Sequence, residues 1–113
     1  MNIQEIIKIY TNSCTNHGIA TESGDYKLAN KSFDEIMDSY NTLKKMGDIG
    51  IRALENLLKH QNLFVQLWTS THLLPFKEEL VKRKLLNLKF ETGLVSLNAE
   101  IILDEWENGQ LQI

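Results

Sequence analysis

Proline and cysteine are almost absent from this chain. Pro75 is the single proline and Cys14 the single cysteine among 113 residues. One cysteine excludes an internal disulfide and suits a reducing compartment. One proline, with six glycines falling mostly between periodic segments, is the punctuation of an all-helical protein. No stretch reaches the roughly 18 apolar residues of a membrane span. Met1 to Lys8 also lacks the basic patch and apolar run of a signal peptide, so a cytoplasmic location is expected. Positive charge is missing from one end. After Lys89 there is no Lys or Arg, while Glu91, Glu100, Asp104, Glu105 and Glu107 follow.

Catalytic motifs are missing too. There is no Ser-His-Asp spacing, no phosphate-cradling glycine loop and no His-Glu-x-x-His pattern, so no enzyme and no cofactor are expected. Cys14 and His17 share a helical face, but two ligands fall short of the three or four that zinc needs, and no metal site is expected. A net charge of −3 disfavours nucleic-acid and anionic-membrane partners. The basic run Lys77, Lys82, Arg83, Lys84 and Lys89 is interleaved with Glu78 and Glu79, which are spaced for i,i+4 pairs to Lys82 and Arg83. It reads as a solvated, ion-paired outer helix.

What is present is apolar residues at intervals of three and four. At 113 residues the chain is one domain, spanning 1–113, and large enough to bury a core. A first helix carries Ile3, Ile6, Ile7, Tyr10, Cys14 and His17, and lapses around Thr21 to Gly24. A second carries Tyr26, Ala29, Phe33, Ile36, Met37, Tyr40 and Leu43, with Gly47 as its expected C-cap. Asp48 is the expected cap of a third helix with the face Ile49, Ala53, Leu54, Leu57 and Leu58, and His60 is placed to cap its last carbonyls. Asn62 starts a fourth helix, Leu63 to Leu74, apolar over more than half its circumference and therefore central. Pro75 is placed at the first turn of a fifth helix with the face Phe76, Leu80, Val81, Leu85 and Leu86. Gly93 separates it from a sixth, which Gly109 stops. Six helices in consecutive pairs suit stacked αα-hairpins, although a compact six-helix bundle predicts the same spacing.

Three local features bear on that choice: Asp25 to Phe33 (DYKLANKSF), Asn62 to Leu74 followed by Pro75, and the stretch Trp106-Glu107-Asn108-Gly109-Gln110-Leu111. Together they make the chain resemble a bacterial family of small α-superhelical, HEAT-like proteins long catalogued as a domain of unknown function. The resemblance implies an all-α fold of three stacked αα-hairpins forming a short, HEAT-like, right-handed superhelix. Members of that family occur as immunity proteins beside polymorphic or contact-dependent growth-inhibition toxins. The chain departs from the family pattern in helix four, where small alanines are expected and Trp68, Thr69 and Ser70 stand. Trp106, Gly109, Leu111 and Asn30 are expected in structural roles: an indole N–H meeting an acceptor, a left-handed cap, an apolar return, and a backbone bond to a neighbouring hairpin.

In such a stack the second helix of each pair lines one common surface. Helix two would bring Asp34, Glu35 and Asp38 to it, and helix six the i,i+4,i+7 stripe Glu100, Asp104 and Glu107. Gln66, Thr69 and Ser70 of helix four would form an uncharged, hydrogen-bonding floor between them. The plain alternative is that these acids only keep the surface soluble. The functional expectation is a monomeric immunity protein whose acidic groove binds a cognate toxin domain, a nuclease with a basic cleft. The alternative is a HEAT-like adaptor or scaffold for a peptide or regulatory protein, marked by exposed apolar area near Trp68 and Leu73.

Overall fold

In the computed structural model, which describes residues 1–113, the chain runs through six α-helices and no strand. They are α1 (Ile3–Ser23), α2 (Tyr26–Lys45), α3 (Asp48–Asn56), α4 (Leu63–Leu73), α5 (Glu78–Leu88) and α6 (Gly93–Glu107). A single 3-10 turn, Leu57–Lys59, follows α3 directly. Consecutive helices pair as three αα-hairpins, and α4 is the hub, packing on α1, α3, α5 and α6. Three repeats give an almost isometric body of 35 × 33 × 26 Å.

Local chemistry sets the boundaries. Asn2, Asp25 and Asn62 each turn a side-chain oxygen onto the backbone N–H groups of the helix they start; Asn62 Oδ1 accepts from Phe64 at 2.9 Å and Val65 at 3.3 Å. The helix α6 ends in a Schellman arrangement: the Gln110 N–H donates to the Glu105 carbonyl at 2.7 Å and the Gly109 N–H to Trp106 at 3.1 Å. That geometry puts Gly109 at φ 70°, a conformation without steric cost only for glycine. Leu111 then turns back against the core.

Several boundaries differ from the sequence expectation. Met46, not Gly47, caps α2, and Gly47 rather than Asp48 precedes α3, whose first residue is Asp48. Pro75 lies in the turn after α4, three residues before α5 begins, because the Phe76 and Lys77 N–H groups both still bond the Leu73 carbonyl. His60 faces forward: its Nδ1 accepts from the Asn62 N–H at 3.0 Å instead of capping α3. Ile49 is exposed, so α3 buries Leu54 and Gly50 instead. Asn30 is exposed and makes no hydrogen bond to another hairpin. The indole of Trp106 does find an acceptor, Glu78 Oε1 of α5 at 3.1 Å.

The core runs continuously from Ile6, Tyr10 and Cys14 through Ile36, Tyr40 and Leu43 to Val65, Leu73, Val81, Leu85, Ala99 and Leu103. Two helix crossings are tight enough to require glycine. Gly18 of α1 lies under the Phe64 ring, and Gly50 of α3 lies against the Leu43 carbonyl of α2. In an open helix Gly→Ala stabilises by roughly 0.5–1 kcal/mol. Here Gly50→Ala drives a methyl into backbone that cannot rotate away, and is expected to cost about 2–3 kcal/mol. Thermal unfolding should show a Tm lower by on the order of 10 °C; an unchanged or higher Tm would contradict this packing.

Candidate functional site

The α4 stretch Thr69-Ser70-Thr71-His72 is the most polar part of the most buried helix. Two of its three hydroxyls are satisfied locally: Ser70 Oγ donates to the Gln66 carbonyl at 2.7 Å and Thr71 Oγ1 to the Leu67 carbonyl at 2.8 Å. His72 is held by both neighbouring helices. Its Nδ1 shares a hydrogen bond with Tyr10 Oη of α1 at 2.7 Å. Tyr40 of α2 stacks on the imidazole with ring centroids 3.8 Å apart, and donates its hydroxyl to the His72 carbonyl at 3.2 Å. Lys44 Nζ covers the outer side of the Tyr40 ring, 4.5 Å from its centroid. His72 Nε2 has no hydrogen-bond partner, and neither has Thr69 Oγ1, which lies beside the Tyr10 phenol.

Burial, with the Lys44 charge adding to it, pushes His72 down to about 3 and keeps the ring neutral. Burial also raises the Tyr10 phenol and the Cys14 thiol, so Cys14 is an inert core group. A neutral imidazole, sealed from solvent between two phenols and the Trp68 indole, is a structural tie with no route to a substrate.

On the open side of α4, α2 and α6 do flank one groove, of about 280 Å³. Its walls are Phe33 of α2, Phe64, Leu67 and Trp68 of α4, and Ile101 and Glu105 of α6. His17 of α1 meets the Trp68 ring edge-on, centroids 5.2 Å apart, and partial burial lowers its pKa. Phe33 is 44 % exposed, Ile101 42 % and the neighbouring Leu97 54 %, a concentration of bare apolar surface on one face. Leu111, Gln112 and Ile113 close one side of the groove.

The second helices of the hairpins therefore share a surface, but it is apolar where an acidic one was expected. Thr69 and Ser70 are fully buried and offer no contact to a partner, which corrects their place on the groove floor. Ser70 sits inside because α4 satisfies its hydroxyl itself, while Thr69 is buried beside Tyr10 with its hydroxyl unpartnered. Gln66 is half-buried and turns its amide to the His60 carbonyl. Glu35 accepts from Ser13 Oγ of α1 at 3.4 Å and lines, with Asp38, a separate hollow beside Ile6 and Ile9. Asp34 is exposed and lines neither that hollow nor the groove. Glu107 is paired across to Lys82 of α5 at 2.6 Å, which raises the lysine pKa and replaces the expected Glu78–Lys82 pairing. Glu100 and Asp104, at i,i+4,i+7 spacing with Glu107, share its arc on the flank of α6. Neither acidic row lines the groove.

Phe33 belongs by spacing to the apolar face of helix two, yet it is exposed, as are Leu97 and Ile101 of α6. A signal existed in α6, whose apolar residues form two stripes: Val95, Ala99 and Leu103, which are buried, and Leu94, Leu97 and Ile101. An outermost helix has only one neighbouring layer against which to bury a stripe.

A solved structure from Rhodopseudomonas palustris, the protein RPA1889, superposes on this whole chain. The chain shares that fold. The TM-score is 0.88 over 100 % of this chain and 94 % of that one, at 17 % identity, so the likeness bears on architecture alone. No protein-family model and no curated relative matches the chain.

Two outcomes follow from the buried tie. Tyr10→Phe strands His72 Nδ1 in the core and is expected to destabilise the fold by about 1–3 kcal/mol in denaturant unfolding. His72 has a folded pKa below its unfolded one, so the neutral ring stabilises fully above pH about 6.5, and that contribution drains away as pH falls toward 3. Between pH 6.5 and 5, above the carboxylate range, stability should fall by up to about 1.4 kcal/mol per unit. His17, half-buried, adds a smaller slope of the same sign. In His72→Gln most of that slope should vanish; an unchanged slope would contradict a sealed, neutral His72.

Proposed function

We propose that this chain is a protein-recognition module that receives apolar side chains of a partner protein in the groove between α2, α4 and α6. The observation that supports this reading is the pair of exposed groove residues Phe33 and Ile101 around a floor containing Trp68, with exposed Leu97 one turn from Ile101 on α6. Exposed apolar surface of this kind on a small domain is typical of contact sites, and aromatic residues in a partly desolvated pocket carry most of the energy at such sites. The acids on the flanks then act at longer range, speeding encounter with a basic partner, while the groove sets the off-rate.

Two biological forms fit this site. The resemblance to the HEAT-like family suggests immunity: the chain would bind a cognate toxin domain in the cytoplasm, a nuclease where the acidic flanks meet a basic cleft. The apolar surface around Trp68 favours the adaptor form, in which the groove holds a peptide or regulatory protein. Both are binding functions, and no catalytic step is assigned to the chain.

Co-expression with the product of the neighbouring reading frame separates the two forms. A stoichiometric complex with rescued growth supports immunity. A well-folded chain that neither binds nor rescues leaves the adaptor form. For whichever partner is bound, Phe33→Glu and Ile101→Glu are expected to weaken the complex by at least about tenfold, or 1.4 kcal/mol. Asp34→Lys with Asp38→Lys should change mainly the association rate and its salt dependence. Full affinity in both groove variants would overturn the recognition reading.

A further inference from the structure

The groove is partly filled by the chain's own residues 110–113. Two backbone bonds anchor the start of this strap: the Gln110 and Leu111 N–H groups both donate to the Glu105 carbonyl. Beyond them Gln112 and Ile113 make no backbone hydrogen bond. Burial alternates along the strap: Leu111 and Ile113 are half-buried against the core, and Gln112 between them is exposed. That is the pattern of an extended segment presenting residues i and i+2 to one surface. Space remains beside it, since the groove keeps its 280 Å³ with the strap in place.

We propose that residues 110–113 are a displaceable internal occupant of the groove. They hold the place of a partner segment of the same chemistry, an extended stretch carrying two bulky aliphatic side chains two residues apart. This rests on the recognition reading and names the occupant. The strap is held by side-chain burial alone past Leu111. The gain from half-burying two aliphatic groups exceeds the backbone entropy lost in ordering them by only about 1.4 kcal/mol, enough to keep it docked about ten times more often than released. A tethered segment of this kind competes at a high effective concentration with any segment arriving from solution, and so lowers its apparent affinity.

The test uses the full chain, its Leu111→Ala/Ile113→Ala variant, and an end-blocked synthetic peptide of the strap sequence, Glu-Asn-Gly-Gln-Leu-Gln-Ile. Binding is read from the shift of the Trp68 indole N–H resonance in the groove. The peptide is expected to bind the double variant at least about tenfold more tightly than the parent. Ile113→Ala alone should fall between them, and serves in place of the double variant if that one fails to fold. A control peptide with serine at both aliphatic positions should bind none of them. Equal affinity for parent and variants, no binding to the emptied groove, or binding of the serine peptide would overturn the proposal. If the peptide fails while Phe33→Glu still abolishes partner capture, the strap inference falls and the recognition reading stands. If the peptide binds while Phe33→Glu captures partner like the parent, the strap fills the groove but the recognition reading falls, and the partner-segment assignment falls with it.

Discussion

The packing of α4 is the constraint from which the rest of this structure follows. A helix that touches α1, α3, α5 and α6 has almost no surface left for polar groups, yet it carries Thr69, Ser70, Thr71 and His72 in sequence. The arrangement is stable because Ser70 and Thr71 return their hydroxyls to α4's own carbonyls, and because His72 is clamped between Tyr10 and Tyr40. A buried imidazole with one partnered nitrogen fixes rotation: turning α4 by one residue would strand Nδ1 and break the Tyr40 stack. The tie therefore sets where α1 and α2 sit relative to α4.

That placement decides what faces outward. With Thr69, Ser70 and His72 turned inward, Phe64, Trp68 and Thr71 come to the groove side of α4, where Phe33 of α2 and Ile101 of α6 approach from either side. His17 packs edge-on against Trp68 and braces the floor. Charge is distributed around this groove and not within it, apart from Glu105. Glu107 is committed to Lys82, and Lys77 to Glu55 of α3 at 3.4 Å. Such exposed pairs add little stability but fix which arc of each helix faces its neighbour.

Much of the fold was legible from spacing and punctuation. The Asn62 cap, the Gly109 stop, the central position of the greasy fourth helix and the pairing into hairpins all follow from local chemistry that sequence displays. The site was legible only in outline: helices two, four and six do share a surface, but its character was reversed. Thr69 and Ser70 read as surface by residue type, and nothing in their spacing reveals that Ser70 satisfies its hydroxyl four residues back or that Thr69 is buried without a partner. Glu107 and Lys82 lie 25 positions apart, so their pairing depends on how two helices meet and not on the sequence of either. Phe33 and Ile101 lie on the margins of wide apolar arcs, where periodicity cannot separate core from rim. Pro75 was misplaced by three residues because the turn bonds to the Leu73 carbonyl use up the chain before α5 can start.

A titration of the His72 ring nitrogens by NMR tests the central tie most directly. A sealed ring shows the chemical shifts of a neutral imidazole from pH 8 down to about 4, with no transition near 6.5, for as long as the chain stays folded. A His72 resonance that titrates near pH 6.5 in the folded protein would show that the ring reaches water, and the clamp between Tyr10 and Tyr40 could not then be what positions α4.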